Sequence, residues 1–428
     1  MNPLRQLFGG RGANAGQYGM IIALVAIVVV FEFWTGGLTL NPTNVINVFQ
    51  QYSYILILAL GMVMVIIAGH IDLSVGSVAA FVGIIVAQAM AAWHWSWWAA
   101  IVLGLVVGAL VGAWQGFWVA FVRVPAFIVT LAGQLIFRGA NQLIGNSTSV
   151  PVPNAYQFIG SGFIHDFGPN TGYSNGTLLL GLVTVAALIW IEARGRARRR
   201  KMKAEVIPLW VSIVRTGILV AITLFGTYLF GAGQAGTSVP VVAIIAGVLT
   251  IVYGFLTRNT IFGRQVYAVG GNAHAAALSG VDIRRVNFFV MANMSVLAAV
   301  AGMVYVGYAG ASGPADGTGW ELDAIAAVFV GGAAVSGGVG TVAGSIVGAL
   351  VMALLANGLQ LVGADTNVQM MIRGIVLLLA VAFDVYSKTQ GRPSLIGNML
   401  KPFQRQKDEA AAVQQPQSID DQSKVSLP

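Results

Sequence analysis

Tyr54-Ile55-Leu56-Ile57-Leu58-Ala59-Leu60-Gly61-Met62-Val63-Met64-Val65-Ile66-Ile67-Ala68-Gly69-His70-Ile71-Asp72-Leu73-Ser74-Val75-Gly76-Ser77-Val78-Ala79-Ala80 reads as two apolar runs with a polar break between them. The first run, counted from Tyr52, is about the length of one bilayer crossing, and so is the second, 74–92. A carboxylate between two such runs is expensive at membrane depth, so Asp72 marks either a local structural device or a functional path. Asp72 or Ser74 can N-cap the helix that comes after them. The two roles are compatible, because transporters place the ends of broken helices at the path.

Working outward, similar runs recur near 18–34, 96–122, 126–144, 177–192, 212–231, 239–256, 287–309, 322–339, 341–363 and 368–386, for twelve candidate spans. Short Gly- and Ser-rich breaks divide 52–92 and 322–363, so the count is read as about 10–12. Of 428 residues, 57% are hydrophobic and 9% charged. With 54 glycines added, the apolar-plus-glycine share reaches about 70%, against roughly 45–50% for a soluble domain. So few charges cannot cover a soluble surface. The class is an all-α polytopic membrane protein with broken helices. The chain has no Cys, which excludes disulfides and thiol metal sites.

The net charge of +8 concerns orientation rather than nucleic acid. With the N-terminus inside, Arg5, Arg11, Arg123, the run Arg194 to Lys203, Arg215, Arg258, Arg264, Arg284, Arg285 and the basic tail from Lys388 all fall inside. Only Arg138 and Arg373 fall in outer halves. That asymmetry predicts an even span count with both termini cytoplasmic. The first apolar run lacks a small-x-small cleavage site and reads as a retained signal anchor. The expected organisation is a cytoplasmic segment 1–17, a transmembrane domain 18–387 and a polar, disordered tail 388–428. Within the domain lie a basic insertion with an extra helix pair, 192–236, an outer loop 145–176 and a long inner loop 257–286.

Several motifs have bland readings. Gly104, Gly108, Gly112 and Gly116 share one helix face, and Gly340, Gly344 and Gly348 repeat that spacing, which suits close helix packing or, less directly, a path lining. Gly310-Ala311-Ser312-Gly313 looks like a serine elbow, yet none of His70, His94, His165 and His274 follows it to serve as base. Gly338 to Ala343 fits a loose dinucleotide fingerprint in the wrong context, and no G-x-x-x-x-G-K-[ST] phosphate loop occurs. The His spacing offers no metal site. Glu321 and Asp323 lie in Gly319-Trp320-Glu321-Leu322-Asp323-Ala324 and invite the same two readings as Asp72, cap or pathway. Gln115, Gln134, Asn141, Asn293, Asn357 and Gln360 within spans suit interhelical bonds or transient substrate contacts. The breaks at 69–77 and 331–341 fall in the two halves of the chain, which points to an inverted-repeat transporter. In the inner loop, Asn272 can cap a short helix over 273–279 that Gly280 ends; so short a helix needs a partner surface.

At that loop the chain resembles the permease subunits of bacterial ABC sugar importers of the ribose, xylose and galactose type. The residues that carry the resemblance are Phe262-Gly263-Arg264, Tyr267-Ala268-Val269-Gly270-Gly271-Asn272, Ala275-Ala276 and Leu278-Ser279-Gly280. Two further blocks match, Ile71 to Ser77 and Gly319 to Ala327, the latter continuing to Gly331-Gly332 and Gly337-Gly338-Val339-Gly340-Thr341. The resemblance covers about residues 18–387, and the insertion 192–236 looks like the xylose and multiple-sugar permeases. Departures are His274 where the family usually has Glu, Ala277 where it has Arg, and His70 in place of a Gly. His70 suits a polar contact or a pH-sensing ring.

The resemblance implies a type II-like importer permease, paired with a second permease copy around a central path in the bacterial cell membrane. It implies an ATPase partner contacted through Asn272, His274, Ala275, Ala276, Leu278, Ser279 and Gly280. It also implies an extracytoplasmic sugar-binding protein, surrounding membrane lipid and no nucleic acid. The chain itself would need no cofactor and catalyse nothing, ATP and Mg being held by the ATPase. Asp72, Ser74, Glu321 and Asp323 are the candidate pathway or cap residues. The rivals are an ion-coupled secondary sugar transporter and a membrane-embedded enzyme. The first expects paired intramembrane charges, and no deep Lys or Arg is expected to answer Asp72 or Asp323.

Overall fold

The computed structural model describes residues 15–169, 172–202, 208–233 and 237–389. Arg5, Arg11, Lys203 and the tail beyond Thr389 lie outside them. Fifteen α-helices run along the described residues. They are α1 (Ala15–Trp34), α2 (Pro42–Ile67), α3 (Val75–Ala91), α4 (Trp97–Phe117, extended by a π-turn Trp118–Val122), α5 (Ala126–Ile144), α6 (Asn154–Ser161), α7 (Asn175–Lys201) and α8 (Leu209–Gly231). Beyond these come α9 (Val241–Asn259), α10 (Ile261–Gly271), α11 (Ala273–Leu278), α12 (Ile283–Ala309), α13 (Trp320–Val330), α14 (Val342–Leu361) and α15 (Thr366–Thr389). Two short strands, β1 (Val150–Pro151) and β2 (Ala311–Ser312), pair antiparallel. The chain divides into compact units Met1–Asp384 and Val385–Pro428, and the first holds α1 to α14 with most of α15.

Eight of these helices are long and apolar enough to cross a membrane by length and composition, and Gly19–Trp34, Val75–Ala91 and Thr366–Ala382 are shorter apolar helices. The expected span 322–339 is corrected. Its helix, α13, holds eleven residues and stops at Val330. Gly331 and the positive-φ Gly332, Gly337 and Gly338 turn the chain before Thr341 caps α14 through the Gly344 amide, 3.0 Å.

The core is built on α2 and α12. Along α2, Ile55, Ile57, Leu58, Leu60, Met62 and Met64 are fully buried. Helix α12 packs on α4, α2, α3 and α6. On α4 the glycine ladder faces α12. A Cβ on Gly108 would sit 2.5 Å from that of Ala299, one on Gly112 2.7 Å from the Ala292 backbone, and one on Gly116 2.8 Å from the Phe288 carbonyl. Glycine therefore sets the α4–α12 distance, because lipid offers no hydrophobic drive and close backbone packing must supply the attraction. Gly344 and Gly348 do the same on α14, against Gly331 and Ala327 of the α13 end. Gly340 instead packs on Ile67 and Ala333 before α14 begins.

Two faces can be told apart. The Gly338 amide donates to the Ile67 carbonyl at the end of α2, 2.8 Å, and Gly270 abuts the same carbonyl. The turns after α2, α10 and α13 thus share one face, which also carries Arg258, Arg264, Arg284 and Arg285. On the far face, Val150 pairs with Ser312, and the Val241 amide donates to the Gly162 carbonyl, 2.9 Å. The outer loop 145–176 is not merely polar connector. Its helix α6 packs on α12, with Tyr156 wholly buried and donating to the Met303 carbonyl at 3.0 Å.

Candidate functional site

The break after α2 begins at Gly69, whose φ of 84° only a residue without Cβ adopts at low cost. Chain 70–74 then climbs back before α3 starts at Val75. The Asp72 carboxylate accepts the Ser74 amide at 2.8 Å and the Ser74 hydroxyl at 2.6 Å through the same Oδ1. Neither residue caps α3 as expected: Ser74 occupies the N-cap position, but its side chain makes no cap bond to the helix. Asp72 folds the turn before the helix instead. The Ser74 hydroxyl accepts from Gln115 Nε2 at 2.7 Å, and Gln115 Oε1 accepts from Ser295 at 3.2 Å. One chain of bonds therefore ties the break to α4 and α12.

Two stretches meet this break: Gly337 and Gly338 of 331–341 close on Gly69 and on the Ile67 carbonyl, and the stretch 310–319 closes on its Gly76 end. Chain 310–319 enters from the far face beside β1. It is held by the Asp316 carboxylate accepting the Gly313 amide, 2.7 Å, and by Asn141 Nδ2 reaching the Gly313 and Pro314 carbonyls, each 3.4 Å. It then runs in until Gly317 meets Gly76 backbone to backbone. At that point α13 begins, capped by Gly319 at φ 79° with no side-chain cap bond. Glu321 and Asp323 sit inside its first turn, so both are corrected from caps to first-turn acids, where the helix dipole favours them. The starts of α3 and α13 thus converge. Glu321 Oε1 accepts from Gln134 at 2.8 Å, while its Oε2 and Asp72 Oδ2 have no partner among the described residues. Arg138 donates to Thr318 at 2.5 Å.

Asp323 pairs with Arg373 on α15 at 3.1 Å, and Tyr54, at the midpoint of α2, donates to it at 3.4 Å. The expectation that no deep cation answers Asp323 is therefore corrected. The sequence places Arg373 in an outer half but hides its pairing, because its span reads as a separate late helix and nothing local ties residue 373 to residue 323. Tyr54 also stacks on Trp320 at 4.0 Å, and Tyr305 meets Trp320 edge-on at 4.7 Å. The six polar residues singled out within spans all bond to protein. Besides Gln115, Gln134 and Asn141, Asn293 accepts from Tyr253, Asn357 exchanges two bonds with Asn44 at 2.9 and 3.0 Å, and Gln360 accepts from Tyr52 at 3.0 Å.

On the basic face, α10 and α11 form a separate module. Thr260 caps α10 through the Gly263 amide at 3.1 Å, and Asn272 caps α11 through the Ala275 amide at 2.9 Å. Gly280, φ 84°, turns the chain out. Of the residues implicated there, Asn272, His274, Ala275, Leu278, Ser279 and Gly280 are exposed, and Leu278 is 79% exposed. Ala276 alone is buried and packs inward. Beside the module opens a cavity of about 820 Å³, lined by His70, Arg123, Phe127, Ala277, Arg284 and Asn287 among others. Among the described residues no group of three His, Cys, Asp or Glu is placed to hold a metal.

Residues 44–381 match the family described as branched-chain amino acid transport system / permease component. The chain is similar to the xylose transport system permease protein XylH of Haemophilus influenzae, 37% identical over 383 residues, which is 89% of this chain and 99% of that protein. XylH of Escherichia coli K12 is 39% identical over 381 residues, covering 89% and 94%. The ribose import permease protein RbsC of E. coli K12 is 32% identical over 368 residues, covering 86% and 93%. No solved structure matches.

Proposed function

The chain belongs to the family described as branched-chain amino acid transport system / permease component, and on that premise we propose that it is the membrane-spanning subunit of an ABC importer for a monosaccharide, xylose or a related sugar. The family description names amino acids, whereas the near-full-length relatives are xylose and ribose permeases. Whole-chain identity is the narrower comparison, so it decides the substrate class. The observation that carries the reading is 39% identity across 94% of a xylose permease.

The remaining parts are inferred from the same premise. The basic face is cytoplasmic, because Lys and Arg accumulate on that side of a cell membrane. A separate ATPase, which holds ATP and Mg, sits under α10 and α11. Exposed Leu278 offers it an apolar knob, and Asn272 keeps α11 helical. A sugar-binding protein delivers cargo at the far face, and a second copy of the chain completes the path. The convergence of α3 and α13 has the form of broken-helix sites in transporters. Closure of the ATPase would move α11 and, through Gly270 against Ile67 and Gly338, the segment leading to Asp72.

The test is co-purification with the cognate ATPase and sugar uptake. Leu278→Asp, on the exposed face, is expected to abolish both association and uptake while the chain stays in the membrane. Wild-type uptake by that variant would sink the contact. Uptake into vesicles by this chain alone would overturn the ATP-driven reading in favour of a secondary transporter, whose expected intramembrane ion pair is present in Asp323–Arg373.

A further inference from the structure

Helices α7 and α8 pack chiefly on each other, and α8 alone of the two packs against α2. The pair presents Leu179, Leu182, Val183, Ile189, Ile213, Ile222 and similar side chains outward. Its start is fixed on the far face: Ser174 caps α7 through the Thr177 amide at 3.3 Å, and Thr177 accepts the Val239 amide at 3.2 Å. From there α7 runs 27 residues. At 1.5 Å per residue that is about 40 Å, some 10 Å more than a hydrocarbon core. The surplus is Arg194-Gly195-Arg196-Ala197-Arg198-Arg199-Arg200-Lys201, helical to its end on the basic face. Arg194 lies 4.8 Å over the exposed Trp190 ring, the arrangement of an interfacial aromatic beside its cation. Arg196 bonds to Ser212 of α8. Arg198, Arg199, Arg200 and Lys201 are exposed, and no carboxylate among the described residues pairs with them.

A helix that leaves lipid and at once carries this charge, with no carboxylate among the described residues paired with Arg198, Arg199, Arg200 or Lys201, needs an anion at headgroup height. We infer that the α7 end, with Arg194, Arg198, Arg199, Arg200 and Lys201, is a binding site for anionic phospholipid headgroups of the leaflet on the basic face. Trp190 and exposed Trp210 of α8 sit at the boundary below them. The lipid rather than a soluble anion is the ligand, because the acyl chains lie along the outward apolar face of the same two helices. Each basic residue near such a surface strengthens attachment, and the site tethers a helix pair that the rest of the protein holds weakly.

The test uses the purified full chain in detergent micelles and measures binding of labelled phosphatidylglycerol, with labelled phosphatidylcholine as the control. The loss expected is roughly fivefold per charge removed. The variant Arg194→Gln/Arg198→Gln/Arg199→Gln/Arg200→Gln should bind phosphatidylglycerol on the order of several hundredfold more weakly. The matching Arg→Lys variant should retain binding, and raising the salt should weaken binding in the wild type. If the quadruple Gln variant does not fold, Arg198→Gln alone and the wild-type salt series carry the test. Equal binding of phosphatidylcholine, no loss in the Gln variants, or displacement of the lipid by inorganic phosphate alone would overturn the proposal.

Discussion

Two glycine-rich, helix-starting segments of this chain do opposite things. The junction of 68–77 with 310–323 buries Asp72, Ser74, Glu321 and Asp323, and its glycines bring backbones into contact, Gly76 on Gly317. The module 260–282 buries Gly263, Val266 and Val269 of α10, but its short helix α11 is exposed apart from Ala276 and has Asn272 as its side-chain cap. In the junction, Asp72, Ser74, Gln115, Gln134 and Glu321 bond to one another within the protein; at α11 the side chains of His274 and Ser279 are exposed. The difference separates a place where structure is over-determined from one where structure is held ready for a partner. It also orders the effects of mutation.

The largest effect is expected at the ion pair inside the junction. Arg373→Met leaves Asp323 buried without its cation. Breaking a buried pair costs about 3–5 kcal/mol, and the lower end applies because the Arg373 side chain is a quarter exposed. The expected result is loss of monodisperse protein on size exclusion, with recovery when Asp323→Asn is added. Failure of the double variant to recover would mean that the charge is not what the pair contributes. Next is Gly76→Val. Its Cβ would lie 2.6 Å from Glu321 Oε2 and nearer still to the Gly317 carbonyl, so α3 and α13 must part. Overpacking of this kind costs about 1–3 kcal/mol, read as a lowered melting temperature together with lost uptake. Gly112→Ala strains α4 against Ala292 instead, with a smaller cost in the same range and uptake retained. Equal loss of uptake in the two variants would erase the distinction between the junction and ordinary packing.

Much of this is legible in the sequence because lipid simplifies the rules. A run such as 52–68 can only be a spanning helix, and a four-residue glycine spacing on 104–116 can only be a close face, so both are readable without contacts. Asn272 before Ala273 and Gly280 after Ser279 mark the limits of α11 for the same local reason. What the residues hide is pairing across distance. Asp323 and Arg373 lie 50 residues apart on different helices, α13 and α15. The sequence points to 331–341 as the partner of the first break, because glycines cluster there. That 310–319 meets the break as well stays hidden, because its Pro314, Asp316 and Gly317 look like ordinary loop. Tyr156 sits in a stretch too polar to suggest burial, and its anchor on Met303 comes only from α6 folding back on α12.

The smallest expected effect sharpens the comparison most. Asn272→Ala removes the one side-chain cap on α11, worth about 1 kcal/mol. In a six-residue helix with few other supports that is enough to raise local opening, while the melting temperature of the whole chain stays put, since only Ala276 of α11 is buried. Hydrogen exchange at Ala275 and Ala276 should quicken roughly fivefold, the factor that 1 kcal/mol gives, with exchange in α2 and α12 unchanged. Asn272→Asp, which keeps a capping oxygen, should restore protection. A parallel quickening in α2 would show that the module and the junction are one cooperative unit. The exposed segment would then be an extension of the buried one, not a part held apart for a partner.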